Sequence, residues 1–128
     1  MRILIDTHTF LWFINDSPNL SSEAADLLES DSTDLLLSIA SLWEIAIKVN
    51  LKKLTLPDTY EAFIPQQIGL NDIEVLSIAI DHLAIAATLP LHQRDPFDRL
   101  LISQAISENL AIVSSETKLD AYGVNRQW

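Results

Sequence analysis

The chain contains no cysteine. That excludes disulfides, thiolate metal sites and cysteine nucleophiles, while saying little about the compartment. Glycine and proline are also sparse, with two and five in 128 residues, and no low-complexity segment, internal repeat or linker interrupts the chain. Basic residues are few: 8 against 18 acidic ones, for a formal charge of −10. A protein that holds nucleic acid by its overall field should be basic. Any nucleic-acid function must therefore rest on a local site, a metal ion, or a basic surface assembled in an oligomer. Long apolar runs are missing too, since none approaches the roughly 18 residues of a membrane helix. The N-terminal MRILIDTHTFLWF is broken early by Asp6 and has no small-residue cleavage site after it. Neither a membrane span nor a signal peptide is expected, and a cytoplasmic location is.

What is present is an apolar fraction of 48%, ordinary for a globular protein and enough for the core of one domain spanning residues 1–128. Short continuous apolar runs occur at Arg2 to Ile5, Leu35 to Ile39, Ile73 to Ile78 and Leu110 to Val113, with the length and β-branched content of buried strands. Between them lie helical patterns at Ser21 to Ser30, Ser41 to Leu51, Tyr60 to Leu70, Ile80 to Leu89 and Phe97 to Glu108, and Gly123 to Trp128 reads as a short edge strand. Strands alternating with helices predict an α/β, three-layer fold: a central, mostly parallel sheet of four or five strands flanked by helices. Sites in such sheets form beyond the carboxyl ends of the strands, where strand order reverses.

Acids fall at those ends. Asp6 follows the first, central strand, where it also reads as an N-cap for HTFLWF. Glu116 follows LAIVSS in the equivalent place on the fourth strand, where it also reads as a solvated loop acid. Glu44 interrupts the apolar helix SLWEIAIK. There it suits either a capping box with Ser41 or an i, i+4 ion pair with Lys48, although its apolar neighbours threaten desolvation. In HQRDPFDRLLISQA, Asp95 is a natural N-cap ahead of Pro96. Asp98 shares a helix face with Leu101, Ile102 and Ala105 and so points coreward. These well-separated acids have no cysteine, repeated histidine spacing or serine elbow beside them. Clustered carboxylates raise one another's pKa unless a cation neutralises them, and oxygen ligands alone suit magnesium or manganese. The pattern points to a hard-metal site serving phosphate chemistry.

The stretches ILIDTHTFLWF, SLWEIAIK, RDPFDRLLISQA and IVSSETKLDAYGV, in this order and spacing, resemble the PIN-domain ribonucleases, specifically VapC-type toxins of toxin–antitoxin pairs in the subgroup that carries DPFDR. The resemblance spans essentially the whole chain and implies the PIN-like form of the three-layer sandwich. It implies that Asp6, Glu44, Asp98 and Glu116 are catalytic and bind one or two Mg²⁺ or Mn²⁺ ions. The fourth acid is usually aspartate in the family, and Glu116 departs from that pattern by keeping the charge on a side chain one methylene longer. Asp95 is read as a cap first and as a ligand or water-positioning group second. Implied too is hydrolysis of an RNA phosphodiester by in-line attack of water, the metals stabilising the attacking and leaving oxygens without a covalent enzyme intermediate. Thr7, Lys48 and Arg99 are the candidate substrate contacts, each with a structural alternative: a turn for Thr7, pairing with a neighbouring acid for the cations. His8, His82 and His92 are read as structural or exposed. The expected partners are RNA, a cognate antitoxin protein and a second copy of the chain, and Trp12, Trp43 and Phe63 are read as interface or core.

Other families fit less well. A haloacid-dehalogenase-like phosphatase needs a second aspartate where this chain has His8. A receiver domain needs a phosphoacceptor aspartate after a middle strand, where Ser41 and Ala79 stand. The remaining alternative is a catalytically silent PIN-fold protein that acts through partner association.

Overall fold

In the computed structural model, which describes residues 1–128, β1 (Arg2–Ile5), α1 (Thr7–Ile14), α2 (Ser22–Glu29), β2 (Asp34–Ser38) and α3 (Ile39–Asn50) come first. They are followed by α4 (Tyr60–Leu70), β3 (Glu74–Leu76), α5 (Ile80–Ala86), α6 (Pro96–Glu108), β4 (Ala111–Val113), a 3₁₀ segment (Thr117–Tyr122) and β5 (Arg126–Gln127). The sheet has five strands in the order β3-β2-β1-β4-β5, and every pairing is parallel. The expectation of a mostly parallel sheet with a central first strand is met, and the GVNRQW segment supplies the fifth strand.

The continuous apolar runs follow from burial on both faces of the sheet. Successive strand residues point to opposite sides, so Ile3, Ile5, Leu35, Leu37, Ala111 and Val113 pack on one side with Phe10, Leu11, Leu28, Ile45 and Ile64. Leu4, Leu36 and Ile112 pack on the other with Leu101, Ile102 and Ala105 of α6. A strand with both faces buried cannot alternate apolar and polar residues. The same two-sided burial defines the three layers.

Chain order sets the place of the site. From β1 the chain moves outward to β2 and β3, then returns to the other side of β1 with β4. Strand order therefore reverses between β1 and β4, and the ends of these two strands carry Asp6 and, just beyond, Glu116. No helix is long and apolar enough to cross a membrane.

Helix α3 begins earlier than the sequence pattern suggests. Ser38 is its N-cap, with Oγ accepting from the Ala40 N–H at 3.0 Å. The predicted capping box of Ser41 and Glu44 therefore does not form. Both residues lie inside the helix and are buried, because β2 runs straight into α3 and Ser38, still in an extended conformation, is the first residue able to cap.

Candidate metal centre

Asp6 serves two elements at once. It ends β1 in an extended conformation and caps α1, its Oδ1 accepting from the Thr9 N–H at 2.8 Å. The capping reading of the sequence is thus correct, and it leaves Oδ2 outside the cap. Asp6 is 7% exposed, as is Glu44 in the second turn of α3. Glu44 Oε2 accepts an ion pair from Lys48 Nζ at 2.9 Å, while Oε1 is buried with no partner. An orphaned, buried carboxylate oxygen is costly. It marks a position where a cation or donor would be stabilising.

Asp95 and Asp98 divide the start of α6 between them. Asp95 Oδ1 accepts from the N–H groups of both Phe97 and Asp98, at 2.9 and 3.0 Å, so Asp95 is the cap. Asp98 lies in the first turn, partly buried, and its Oδ2 accepts from Gln93 Nε2 at 3.3 Å. Burial pushes the Asp98 carboxyl up to about 7, reinforced by the negative fields of Asp95, Asp6, Glu44 and Glu116. Three acids from separate parts of the chain, and Asp95 from the cap of the same helix, therefore act on one carboxyl group. Glu116 is exposed; its backbone N–H donates to Ser114 Oγ at 3.0 Å just past β4.

The side chains do not stand as a closed cage in which three acids surround one point. Like charges with no cation between them repel, and Lys48 and Gln93 already occupy one oxygen each of Glu44 and Asp98. The donor set is nevertheless all oxygen, has an unpartnered buried member in Glu44 Oε1, and raises the proton affinity of Asp98. These features fit a hard divalent cation.

The candidate substrate contacts have other partners in this structure. Thr7 is buried, and its Oγ1 donates to Ser41 Oγ at 2.9 Å, tying α1 to α3. Arg99 donates to the carbonyls of Leu89, Pro90 and Gln93 at 2.8 to 3.0 Å and so staples the loop ahead of α6. Lys48 holds Glu44. Among the histidines, His8 and His92 are exposed. His82 is buried, accepting from the Ala79 N–H at 3.0 Å and facing Glu108 at 2.8 Å. The aromatic trio separates. Phe63 is core, Trp12 is half-buried against Trp128, and Trp43 is 60% exposed with its ring edge-on to Phe97 at 5.4 Å. Trp43 and Phe97 immediately precede Glu44 and Asp98, so this aromatic pair lies alongside the acids.

Sequence reasoning missed Gln93 and Tyr122, and it gave Ser41 a capping role where the structure has it accepting from Thr7. Nothing in composition or spacing marks Gln93 and Tyr122, because their roles depend on contacts such as that of Tyr122 with the loop before α6.

The sequence model of the PIN-domain family matches residues 3–125. No curated protein matches at the level of sequence. Among solved structures, VapBC2 from Rickettsia felis, bound to a DNA fragment from its promoter, is similar with a TM-score of 0.73 at 18% identity, over 99% of this chain and 98% of that one. VapBC-1 from nontypeable Haemophilus influenzae has a TM-score of 0.69 at 17% identity, over 99% and 97%. A toxin–antitoxin complex from Klebsiella pneumoniae has a TM-score of 0.65 at 19% identity, over 98% and 96%. At such identities the likeness establishes the fold.

Proposed function

The chain belongs to the PIN-domain family, and from that premise we propose that it is a metal-dependent endoribonuclease, the toxin of a toxin–antitoxin pair. The observation that best supports this reading is the buried Glu44 carboxylate with its Oε1 unpartnered, in a chain that also carries Asp6 and Glu116 just past the carboxyl ends of the paired strands β1 and β4. Asp6, Glu44 and Asp98 would hold Mg²⁺ or Mn²⁺, with Glu116 at the exposed rim and Asp95 kept to its cap. The bound cation supplies Lewis-acid stabilisation of charge on the attacking and leaving oxygens.

The protein's own residues set the conditions for that chemistry. Asp98 must release its proton to act as a ligand, which its raised pKa resists until a cation offsets the surrounding negative charge. Lys48 neutralises Glu44 through Oε2, which leaves Oε1 as the oxygen a divalent ion would take. Water would add to phosphorus as one P–O bond of the RNA breaks, a proton lost by the water being balanced by one gained at the leaving oxygen, and no side chain would be esterified. With a net charge of −10, the phosphate backbone gains little from the overall field. Contact with RNA therefore depends on the cation and on local groups, among them the exposed ring of Trp43, suited to stacking on an unpaired base.

The partner reading rests on the neighbours, one of them a toxin–antitoxin complex beside two VapBC structures, and on apolar residues left in solvent, notably Ile80, Leu91 and Leu70. An antitoxin and a second copy of the chain are the proposed occupants of such surface. The test is cleavage of a mixed RNA pool by the purified chain with Mn²⁺, beside Asp6→Asn, which keeps the cap because asparagine caps equally well. Cleavage by the wild type that is lost on chelation and in Asp6→Asn supports the reading. A folded wild type that leaves RNA intact favours the silent, partner-binding alternative.

A further inference from the structure

The loop between α5 and α6 is fixed by side chains from two directions, and both fixings meet at Gln93. From the 3₁₀ segment, the Tyr122 hydroxyl accepts from the N–H groups of His92 and Gln93 at 2.9 and 2.7 Å and donates to the Pro90 carbonyl at 2.6 Å. From α6, Arg99 donates to the Gln93 carbonyl at 3.0 Å. The backbone of Gln93 is thus held at both its N–H and its C=O.

The side-chain amide is oriented by its partners. Oε1 accepts from the N–H groups of Arg94 and Asp95 at 3.0 and 3.4 Å, which leaves Nε2 to donate to Asp98 Oδ2 at 3.3 Å. Reversing the amide would set an oxygen against a carboxylate and an NH₂ against two N–H donors. The network therefore selects one orientation.

We propose that Gln93 is a positioning residue that holds the Asp98 carboxylate in its ligating orientation, and that Tyr122 acts through it by fixing the loop. This rests on the reading of Asp98 as a metal ligand. Asp98 receives no other side-chain donor, so its orientation depends on this one contact. A donor that orients a ligating carboxylate is worth about 10- to 100-fold in metal affinity or activity.

The experiment compares Gln93→Met, which keeps length but removes the donor, with Gln93→Glu, which sets an acceptor against Asp98, and with Tyr122→Phe. Crystal structures of the metal-free variants read the orientation of Asp98 directly. Calorimetric titration with Mn²⁺ reads affinity, and RNA cleavage across Mn²⁺ concentrations separates affinity from turnover. Expected are an Asp98 side chain displaced from its wild-type orientation in both Gln93 variants, Mn²⁺ binding about tenfold weaker in Gln93→Met, and cleavage that returns at saturating Mn²⁺. Combining Tyr122→Phe with Gln93→Met should cost less than the sum of the two, since both act through one group. An Asp98 that keeps its orientation in both Gln93 variants overturns the proposal, as does unchanged Mn²⁺ affinity in a chain that binds the ion. If Asp98 moves but the wild type neither binds Mn²⁺ nor cleaves RNA, the positioning stands and the nuclease reading fails.

Discussion

Glu44 is paired on one side only: Oε2 lies 2.9 Å from Lys48 Nζ, while Oε1 of the same carboxylate is buried without a partner. Lys48 therefore acts as the resident cation of a site suited to a stronger one. Lys48→Met should destabilise the metal-free chain, by less than the ~3–5 kcal/mol lost when a fully buried pair is broken, because the Lys48 side chain is 32% exposed. The same variant should gain more melting temperature from Mn²⁺ than the wild type does, since the ion then relieves an unpaired charge. A smaller gain, read by thermal melts with and without millimolar Mn²⁺, would mean that the ion does not bind at Glu44.

Asp98 gives the stability a predictable dependence on pH. Folded, it keeps its proton up to about pH 7; in the unfolded chain it releases it near the ordinary aspartate value of about 3.9. Between those values the folded state binds more protons, so the contribution of this group to stability falls as pH rises through the window and levels off above it. Asp98→Asn removes this dependence. Its melting temperature relative to wild type should climb from pH 5 to pH 8 in metal-free buffer. A difference that stays flat across that range would mean that neither burial nor the neighbouring acids raise the proton affinity of Asp98.

The two aspartates of RDPFDR should separate cleanly on substitution. Asp95→Asn keeps an acceptor for the Phe97 and Asp98 N–H groups and should retain activity, whereas Asp95→Ala should cost about 1 kcal/mol through the lost cap. Asp98→Asn keeps the shape but removes the charge, and should abolish Mn²⁺-dependent cleavage without lowering the melting temperature. Full activity in Asp98→Asn would reduce Asp98 to a helix-start residue.

Much of this was legible in the sequence because the signals are local. The strand runs and helix caps announce themselves over a few residues, and both faces of a parallel sheet demand the continuous apolar stretches seen at RILI and LLLS. Asp6, Asp95 and the Glu44–Lys48 pair were readable from spacing alone. The start of α3 was not, because Ser38 and Ser41 both suit a cap and only the length of β2 decides between them. Nor was the burial of Phe63 against the exposure of Trp43, which depends on what packs over α4 and α3. Arg99 is instructive in the same way. Beside an acidic site it reads as a phosphate contact, but its fork closes on the carbonyls of Leu89, Pro90 and Gln93, which come near only once the loop has folded back.

Whether Asp6, Glu44 and Asp98 together hold a divalent cation can be read from the anomalous difference map of a Mn²⁺-soaked crystal. A peak is expected bonded to oxygens of Asp6 and Asp98, on the side of Glu44 whose Oε1 lacks a partner, at roughly the 2.0–2.2 Å of a small hard cation. A well-ordered crystal whose Mn²⁺ lies only elsewhere, for example in the surface depression lined by the exposed acids Glu29, Asp31 and Asp72, would overturn that shared site.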